Sequence, residues 1–241
     1  MWQKGAEKME KTMLEKQIEQ FVMESRLNYV SEEEAIAPEY AGLRMYDPPI
    51  WGYGDANDPM FEELKKKEAV GEQFLLPDAW LPDAKSVISF FIPFTDEVKK
   101  SNWTDPAEPS AQWLHARIEG QRFVIAVCDE IQRILKEEGI ISVIPASDPR
   151  FESVTKPDPE RGEKWQGASY TSNWSERHVA FVCGLGTFGL SKGLITEKGI
   201  AGRLGSLIVS ERFEPRKREY TDIYEYCTRC GACIRRCPAG A

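Results

Sequence analysis

The crowding of cysteines near the end of this 241-residue chain limits its fold more than any other feature. Four of the six cysteines fall within the final fifteen residues, at Cys227, Cys230, Cys233 and Cys237, and Pro238 follows the last of them. The resulting spacing, C-x2-C-x2-C-x3-C-P, is that of the bacterial ferredoxin run. Two-residue spacers around Gly231 let three thiolates converge on three irons of one cube. The motif therefore predicts a [4Fe–4S] cluster.

Two points about this motif stay open at the level of sequence. Zinc would need only two C-x2-C pairs, which are normally set much further apart. The fourth cysteine of such a run usually points to a second cluster, so the fourth ligand has to come from elsewhere. We expect it from a second cysteine run beyond the last residue, with the cluster domain continuing there. The alternative is that Cys128 or Cys183 folds back, although both positions favour a structural role.

Composition excludes several classes of protein. The formal net charge is -8 and 29% of residues are charged, which is typical of a soluble globular chain and disfavours binding to nucleic acid through bulk charge. The longest apolar run, Val87 to Phe94, is too short to cross a bilayer. The N-terminal residues show no secretory signal. We therefore expect a cytoplasmic protein without a membrane span.

Hydrophobic periodicity predicts a layered α+β (α/β layered) domain over residues 1–211, followed by the start of a small ferredoxin-type domain over residues 212–241. Glu176 to Cys183 should be a helix with Ser175 as its N-cap. Long irregular segments are expected at Ala37 to Pro59 and Asp148 to Asn173, and their length suggests that they determine the substrate. The other predicted elements are helices at about Glu7 to Ser25 and within Glu108 to Glu138, and strands at Ser86 to Phe94, Ile140 to Ile144 and Leu204 to Val209.

A glycine-rich stretch, Gly184-Leu185-Gly186-Thr187-Phe188-Gly189, matches G-x-G-x-x-G. A dinucleotide site would require a strand before this stretch and an uninterrupted helix after it. Here a predicted helix precedes it, and Gly193, Gly199 and Gly202 follow it. The stretch is therefore better interpreted as a loop that approaches a bulky ligand closely, with a purely structural turn as the alternative.

These residues support a resemblance to a known family. Ser175 to Leu190 (SERHVAFVCGLGTFGL) is similar to the E-R-x-x-A…A-G-L-G-W-x-G-K segment of epoxyqueuosine reductases. Leu194 to Ser206 (LITEKGIAGRLGS) is similar to the matching segment of corrinoid reductive dehalogenases, and Leu81 to Ile88 (LPDAKSVI) resembles the first core strand of both. Thr187 and Leu190 stand where the epoxyqueuosine pattern has Trp and Lys.

The resemblance implies a nitroreductase-like, cobalamin-binding-type domain joined to a ferredoxin-type domain whose clusters pass electrons to cobalt. Arg177 and Arg203 would pair with anionic groups of the cofactor, with ordinary ion pairs as the alternative. Tyr170 lies near the position of the acidic proton donor of epoxyqueuosine reductases and would act as the acid, as a Tyr does in the dehalogenase branch, with a packed or loop-anchoring role as the alternative. The corrin would be flanked by the glycine stretch, that is by Gly184, Leu185, Gly186, Thr187, Phe188 and Gly189.

The same resemblance implies a low-potential electron donor of ferredoxin or flavodoxin type and a small-molecule or modified-nucleoside substrate. It leaves the substrate open between a modified tRNA and an organohalide, and it is compatible with a homodimer. Two other functions stay open: an electron-transfer or interaction module without a corrinoid, and a flavin or nicotinamide enzyme that uses the glycine stretch.

Overall fold

The computed structural model describes residues 10–105, 108–156, 160, 163–165 and 169–237. The helices within these ranges are Lys11–Glu24 (α1), Met60–Glu63 (α2), Pro77–Trp80 (α3), Asp96–Ser101 (α4), Ala111–Ile118 (α5), Gly120–Glu137 (α6), Glu176–Val182 (α7) and Ala232–Arg235 (α8). The strands are Ile50–Asp55 (β1), Ser86–Pro93 (β2), Ser142–Val143 (β3), Ser153–Val154 (β4), Thr171–Ser172 (β5), Gly186–Phe188 (β6), Leu194–Thr196 (β7) and Gly202–Val209 (β8).

The centre of the fold is a four-stranded sheet of order β1-β2-β8-β3, in which every neighbouring pair is antiparallel. β2 is buried along its whole length because both faces of the sheet are covered. Ile88, Phe90 and Ile92 pack into the core shared with α1 and α6. Val87 and Phe91 pack into the second core, which α7 and the segment 61–84 complete. The predicted mixed α+β class is confirmed, with helices on both faces of an antiparallel sheet.

Two sequence predictions about elements were wrong. The segment Ala37 to Pro59, predicted to be irregular, contains the buried strand β1. The stretch Glu108 to Glu138 holds two helices rather than one, because the chain turns at Glu119 between α5 and α6. The hydroxyl of Ser110 accepts the Trp113 N–H and starts α5.

Ser175 lies at the N-cap position of α7, as predicted, but its side chain forms no cap bond there. The Ser175 hydroxyl instead lies 2.7 Å from Nδ1 of His178. The other core elements confirm their predictions within a few residues, namely α1, β2, β3, α7 and β8.

Residues 211–226, here called the C-terminal strap, run across the edge of the sheet towards the cysteine motif. Phe213 is buried in the first core and Tyr220 in the second. The Arg216 N–H donates to the Tyr53 carbonyl at 2.8 Å, and its guanidinium donates to the Trp51 carbonyl at 2.8 Å. The strap thus brings the cysteine motif to the body of the protein at a defined place.

Candidate redox site

The cysteine motif is a turn followed by the short helix α8. Gly231 begins this helix with a left-handed backbone conformation (φ 71°), which a residue without a Cβ adopts at little cost. The thiols of Cys230 and Cys233 are exposed, whereas Cys227 and Cys237 are half-buried. Hydrogen bonds from the Ala232 backbone and the Thr228 side chain lower the pKa of the Cys230 thiol. Backbone donors that favour the thiolate suit a cluster ligand.

Thiols in this loop therefore have the chemistry that an iron–sulfur cluster requires. In the described ranges, no three His, Cys, Asp or Glu side chains gather closely enough to hold one metal ion. The assignment of Cys227, Cys230, Cys233 and Cys237 as cluster ligands stays a prediction at the level of single residues.

The two remaining cysteines lie inside the protein. Cys128 and Cys183 are buried, and burial raises the pKa of both thiols. Cys183 lies against β1, where a Cβ on Gly54 would come within 3.0 Å of its sulfur. Both are therefore packed as small apolar residues.

The start of the cysteine motif is tied directly to β6. The Phe188 N–H donates to the Ile223 carbonyl at 2.6 Å. The Tyr226 N–H donates to the Thr187 hydroxyl at 2.8 Å, one residue before Cys227. The predicted glycine stretch and the predicted cluster ligands are therefore neighbours in space.

A cavity of about 610 Å³, here called cavity B, opens at this junction. Ile223 and Tyr224 form the side next to the cysteine motif, and the Lys192 ammonium donates to the Tyr224 hydroxyl at 3.0 Å. The rest of its wall comes from α2 and the segment after it, from α7 and β6, and from the loop residue Tyr170. It includes Met60, Leu64, Tyr170, Arg177, His178, Phe181 and Phe188. A larger cavity of about 940 Å³, cavity C, adjoins it and shares Tyr170, Arg177 and His178.

His178 presents a neutral imidazole to cavities B and C. Burial, together with the nearby positive charges of Arg177 and Lys192, lowers the pKa of this histidine to about 4. Its ring lies 4.9 Å from the ring of Phe188. At neutral pH the wall of cavity B therefore offers an uncharged ring pair beside the cationic side chains.

Tyr170, the predicted acid, lies at the mouth of cavities B and C with 83% of its surface exposed. Its backbone is left-handed (φ 51°), which is uncommon for a bulky residue. The structure thus brings Tyr170 into the same cavity as Phe188. Its role as a proton donor stays a prediction.

The glycine stretch is mostly packed against the protein itself. Helix α7 precedes it and strands β6 and β7 follow, which is not the strand–loop–helix order of a dinucleotide site. Gly184 ends α7 in a left-handed conformation (φ 85°). A Cβ on Gly186 would collide with the Ile195 carbonyl of β7. Of the predicted cofactor-binding residues, Phe188 lines cavity B and Arg203 lines a third cavity, while Gly184, Leu185, Gly186, Thr187 and Gly189 line none of the three.

This third cavity, cavity A, has a volume of about 430 Å³ and lies over β8, between α6 and the start of α7. It contains a residue that the sequence analysis did not single out. Glu176 lines it, and both carboxyl oxygens are shielded from solvent without a hydrogen-bond partner in the described part of the chain. Burial raises the pKa of Glu176 to about 7, and the nearby Ser206 side chain opposes this rise. No local sequence pattern signals this burial, since it depends on β8.

The chain is similar to known proteins both in its C-terminal sequence and in its fold. A family profile described as "4Fe-4S binding domain" matches residues 220–241. A solved epoxyqueuosine reductase, in complex with an epoxyqueuosine-modified tRNA stem loop, superposes with a TM-score of 0.51 at 18% identity, covering 95% of this chain and 53% of that one. The chain has the epoxyqueuosine reductase fold and carries a 4Fe-4S binding motif.

Two further structures are similar. A selenomethionine-labelled epoxyqueuosine reductase gives a TM-score of 0.49 at 18% identity, covering 80% of this chain and 48% of the other. The enzyme from Bacillus subtilis gives 0.45 at 20% identity, with the same coverage of 80% and 48%. The chain thus spans about half the length of the solved structures that it matches. The sequence has no match among curated proteins, and no helix in the described ranges could cross a membrane.

Proposed function

We propose that this chain belongs to an iron–sulfur oxidoreductase in which a [4Fe–4S] cluster exchanges electrons with a group bound in cavity B. The observation that carries this proposal is the pair of hydrogen bonds between β6 and the segment before Cys227. Phe188, Ile223 and Tyr224 belong both to this junction and to the wall of cavity B. A ligand in this cavity would lie beside the cluster-binding loop, which is where an electron acceptor belongs.

The group predicted for this place is a corrinoid in a nitroreductase-like domain. The wall chemistry of cavities B and C fits such a group, because aromatic side chains and the neutral His178 ring surround an open volume. When bound, a corrinoid supplies reductive chemistry that side chains cannot perform. Phe188 would pack against it, and Arg177 and Lys192 would pair with its polar edge. Tyr170 would hold a proton at its hydroxyl at the cavity mouth. Arg203 lines cavity A, so its predicted pairing with the cofactor would require an arm of the corrinoid to reach that cavity.

The substrate that we propose is a modified nucleoside in tRNA, supported by the solved structure of similar fold that holds such a stem loop. The donor would be a low-potential ferredoxin or flavodoxin. We keep the division into residues 1–211 and 212–241 as a proposal, with the strap as the connection. Cytoplasmic location and a homodimer belong to the same proposal.

The test begins with protein purified without oxygen. We expect iron and acid-labile sulfide in the wild type and a strong loss of both in Cys230→Ser. The matched control is Cys183→Ser, a buried cysteine that should leave the iron content unchanged. Wild-type protein without iron, or equal iron in Cys230→Ser, would contradict the proposed cluster.

Hydroxocobalamin titration then tests the corrinoid separately. We expect retained corrin absorbance in the wild type and at least tenfold weaker binding in Phe188→Asp, because a carboxylate would face the apolar wall of cavity B. Tyr170→Phe should retain the corrin but lose turnover. Full turnover in Tyr170→Phe would remove this residue from the mechanism.

A second candidate is an electron-transfer module without a corrinoid. The packing of the glycine stretch favours it, because Gly186 faces the Ile195 carbonyl rather than an open cleft. The visible spectrum distinguishes the two. Iron–sulfur absorbance without corrin bands after cobalamin supplementation would select the electron-transfer module, and flavin bands would select a flavin enzyme.

A further inference from the structure

Cavity A lies beside the proposed redox site and has an unusual set of polar groups. Among the residues that the structure describes, it shares Arg177 with cavities B and C and Glu176 with cavity C. The walls are largely apolar, formed by Phe91, Val124, Ile125, Ile144, Leu194 and Leu204. A cavity of ~150 Å³ can hold benzene, so about 430 Å³ leaves room for a ring and a polar substituent.

Two polar groups on this wall lack partners among the residues that the structure describes. Both carboxyl oxygens of Glu176 are buried without a hydrogen bond of normal geometry, with the Ser206 hydroxyl as a polar neighbour, and the buried Nε of Arg203 has no acceptor. Each neighbouring guanidinium is already used in part. Arg203 donates from Nη2 to the Arg117 carbonyl, and Arg177 donates from Nη1 to the Lys192 carbonyl. Orphaned buried polar atoms are rare in folded proteins, and each costs about 1–3 kcal/mol.

These orphaned groups define the chemistry of a complementary ligand. Glu176 requires an N–H or O–H donor, and Arg203 requires an acceptor. When the pH is above 7 and Glu176 is ionised, a cation would be repelled by the two arginines and an anion would be repelled by the carboxylate, so neither charged ligand suits the whole wall. A neutral carboxamide presents both an N–H and a carbonyl oxygen. We propose that cavity A binds a neutral carboxamide attached to an apolar or aromatic body, with its N–H donated to Glu176 and its carbonyl accepting from Arg203.

The proposal does not depend on the cluster, and a corrinoid enters it only as one source of the carboxamide. Burial raises the pKa of Glu176 to about 7, so the carboxyl is ionised and acts only as an acceptor when the pH is above 7. The Ser206 hydroxyl beside Glu176 already accepts the Trp174 indole N–H at 2.9 Å. It therefore holds a fixed position beside Glu176.

Three probes of the same shape test the proposal. Benzamide offers a donor and an acceptor, benzamidine offers donors with a positive charge, and benzoate offers acceptors with a negative charge. Ligand-observed NMR on the purified chain at pH 8, where Glu176 is ionised, should show benzamide binding in the millimolar range and at least tenfold tighter than either charged probe. Equal or tighter binding of benzamidine or benzoate, or no binding of benzamide, would overturn the proposal.

Variants of residues in the cavity wall test whether benzamide binds in cavity A. Glu176→Met and Arg203→Met should each weaken benzamide binding at least fivefold, while Glu176→Gln, which keeps an acceptor oxygen, should stay within about threefold of the wild type. Glu63→Gln, which alters cavity B alone, is the control and should leave the affinity unchanged. Each variant is first checked by its unfolding curve. If Glu176→Met does not fold, the benzamide affinities of Arg203→Met and Glu176→Gln still test whether binding occurs in cavity A. An unchanged affinity in Arg203→Met would contradict binding there.

The carboxamide could belong to a free small molecule or to an amide arm of a larger ligand such as a corrinoid. Competition between benzamide and hydroxocobalamin distinguishes these sources. Mutual exclusion identifies an arm of the larger ligand, and simultaneous binding identifies a separate small amide.

Discussion

The carboxyl group of Glu176 is buried, so its ionisation is coupled to folding. The pKa of Glu176 is raised from 4.5 to about 7, which means that the folded chain holds this proton more tightly than the unfolded chain does. Below pH 4.5 both states are protonated, so the ionisation of this residue has no effect on the free energy of unfolding. Between pH 4.5 and 7 the unfolded state releases the proton first, and the free energy of unfolding falls by about 3 kcal/mol.

The variant Glu176→Gln removes this ionisation. We expect it to be more stable than the wild type at pH 8, with a difference that shrinks steadily as the pH falls to 4.5. Urea unfolding at several pH values measures this directly. A difference that is independent of pH would show that Glu176 does not titrate between the two states.

Gly186 offers a second test at the scale of one residue. A Cβ there would collide with the backbone of Ile195, so Gly186→Ala should lower the free energy of unfolding by at least ~2 kcal/mol. Gly139→Ala is the matched control, because Gly139 has open space but a left-handed backbone (φ 73°), for which the cost is about 1 kcal/mol. Urea titration compares the two. Equal effects would mean that the β6–β7 contact is not tight.

At the scale of elements, the strands and helices that could be predicted are those with a clear local sequence pattern. β2 could be recognised because both of its faces are buried and almost every residue is apolar. β1 could not, because Gly52 and Gly54 interrupt its pattern, and both are needed where Cys183 of the distant helix α7 lies against the strand. The break between α5 and α6 likewise carries no proline to signal it.

The candidate site likewise has parts that the sequence could predict and parts that it could not. The cysteine motif is contiguous, so its spacing alone predicts a cluster. Cavity B draws its wall from α2, α7, β6 and the strap, which are far apart in sequence. Tyr170 was selected through a family resemblance, and Phe188 was selected as a member of the glycine stretch rather than for a property of its own. Glu176 was missed because a glutamate in the first turn of a helix is ordinarily exposed.

The link between β6 and the cysteine motif gives a prediction about these elements. Thr187→Val removes the hydroxyl that accepts the Tyr226 N–H, so hydrogen exchange at Tyr226 should become at least fivefold faster. Thr196→Val is the control, since its hydroxyl serves only the turn after β7. Mass spectrometry of deuterium uptake measures the change. Unchanged protection at Tyr226 in Thr187→Val would show that the motif is held by other contacts.

For the whole molecule, the strap joins the sheet, helix α7 and the cysteine motif into one unit. It does so by hydrogen bonding to backbone carbonyls at the C-terminal end of α7. The Arg218 guanidinium donates to the Val182 carbonyl at 2.8 Å and to the Asp58 carboxylate at 2.6 Å, and the Tyr220 hydroxyl donates to the Phe181 carbonyl. The last carbonyls of a helix lack partners of their own, and a cation there is favourable. Docking of the strap is therefore part of folding.

Arg218→Met tests this view. It would leave the Asp58 side chain, only 14% exposed, without its cation and the Val182 carbonyl without this donor, so we expect a loss of about 1–3 kcal/mol in the free energy of unfolding. Arg212→Met is the matched control, because the Arg212–Asp55 pair is 55% and 29% exposed and should contribute less than ~1 kcal/mol. Tryptophan fluorescence follows the body during urea unfolding, and visible absorbance follows the cluster in anaerobic samples. We expect both signals to shift together in Arg218→Met, since the strap connects the two regions. A shift confined to the cluster signal would mean that the strap detaches without weakening the body, and that α7 does not depend on it.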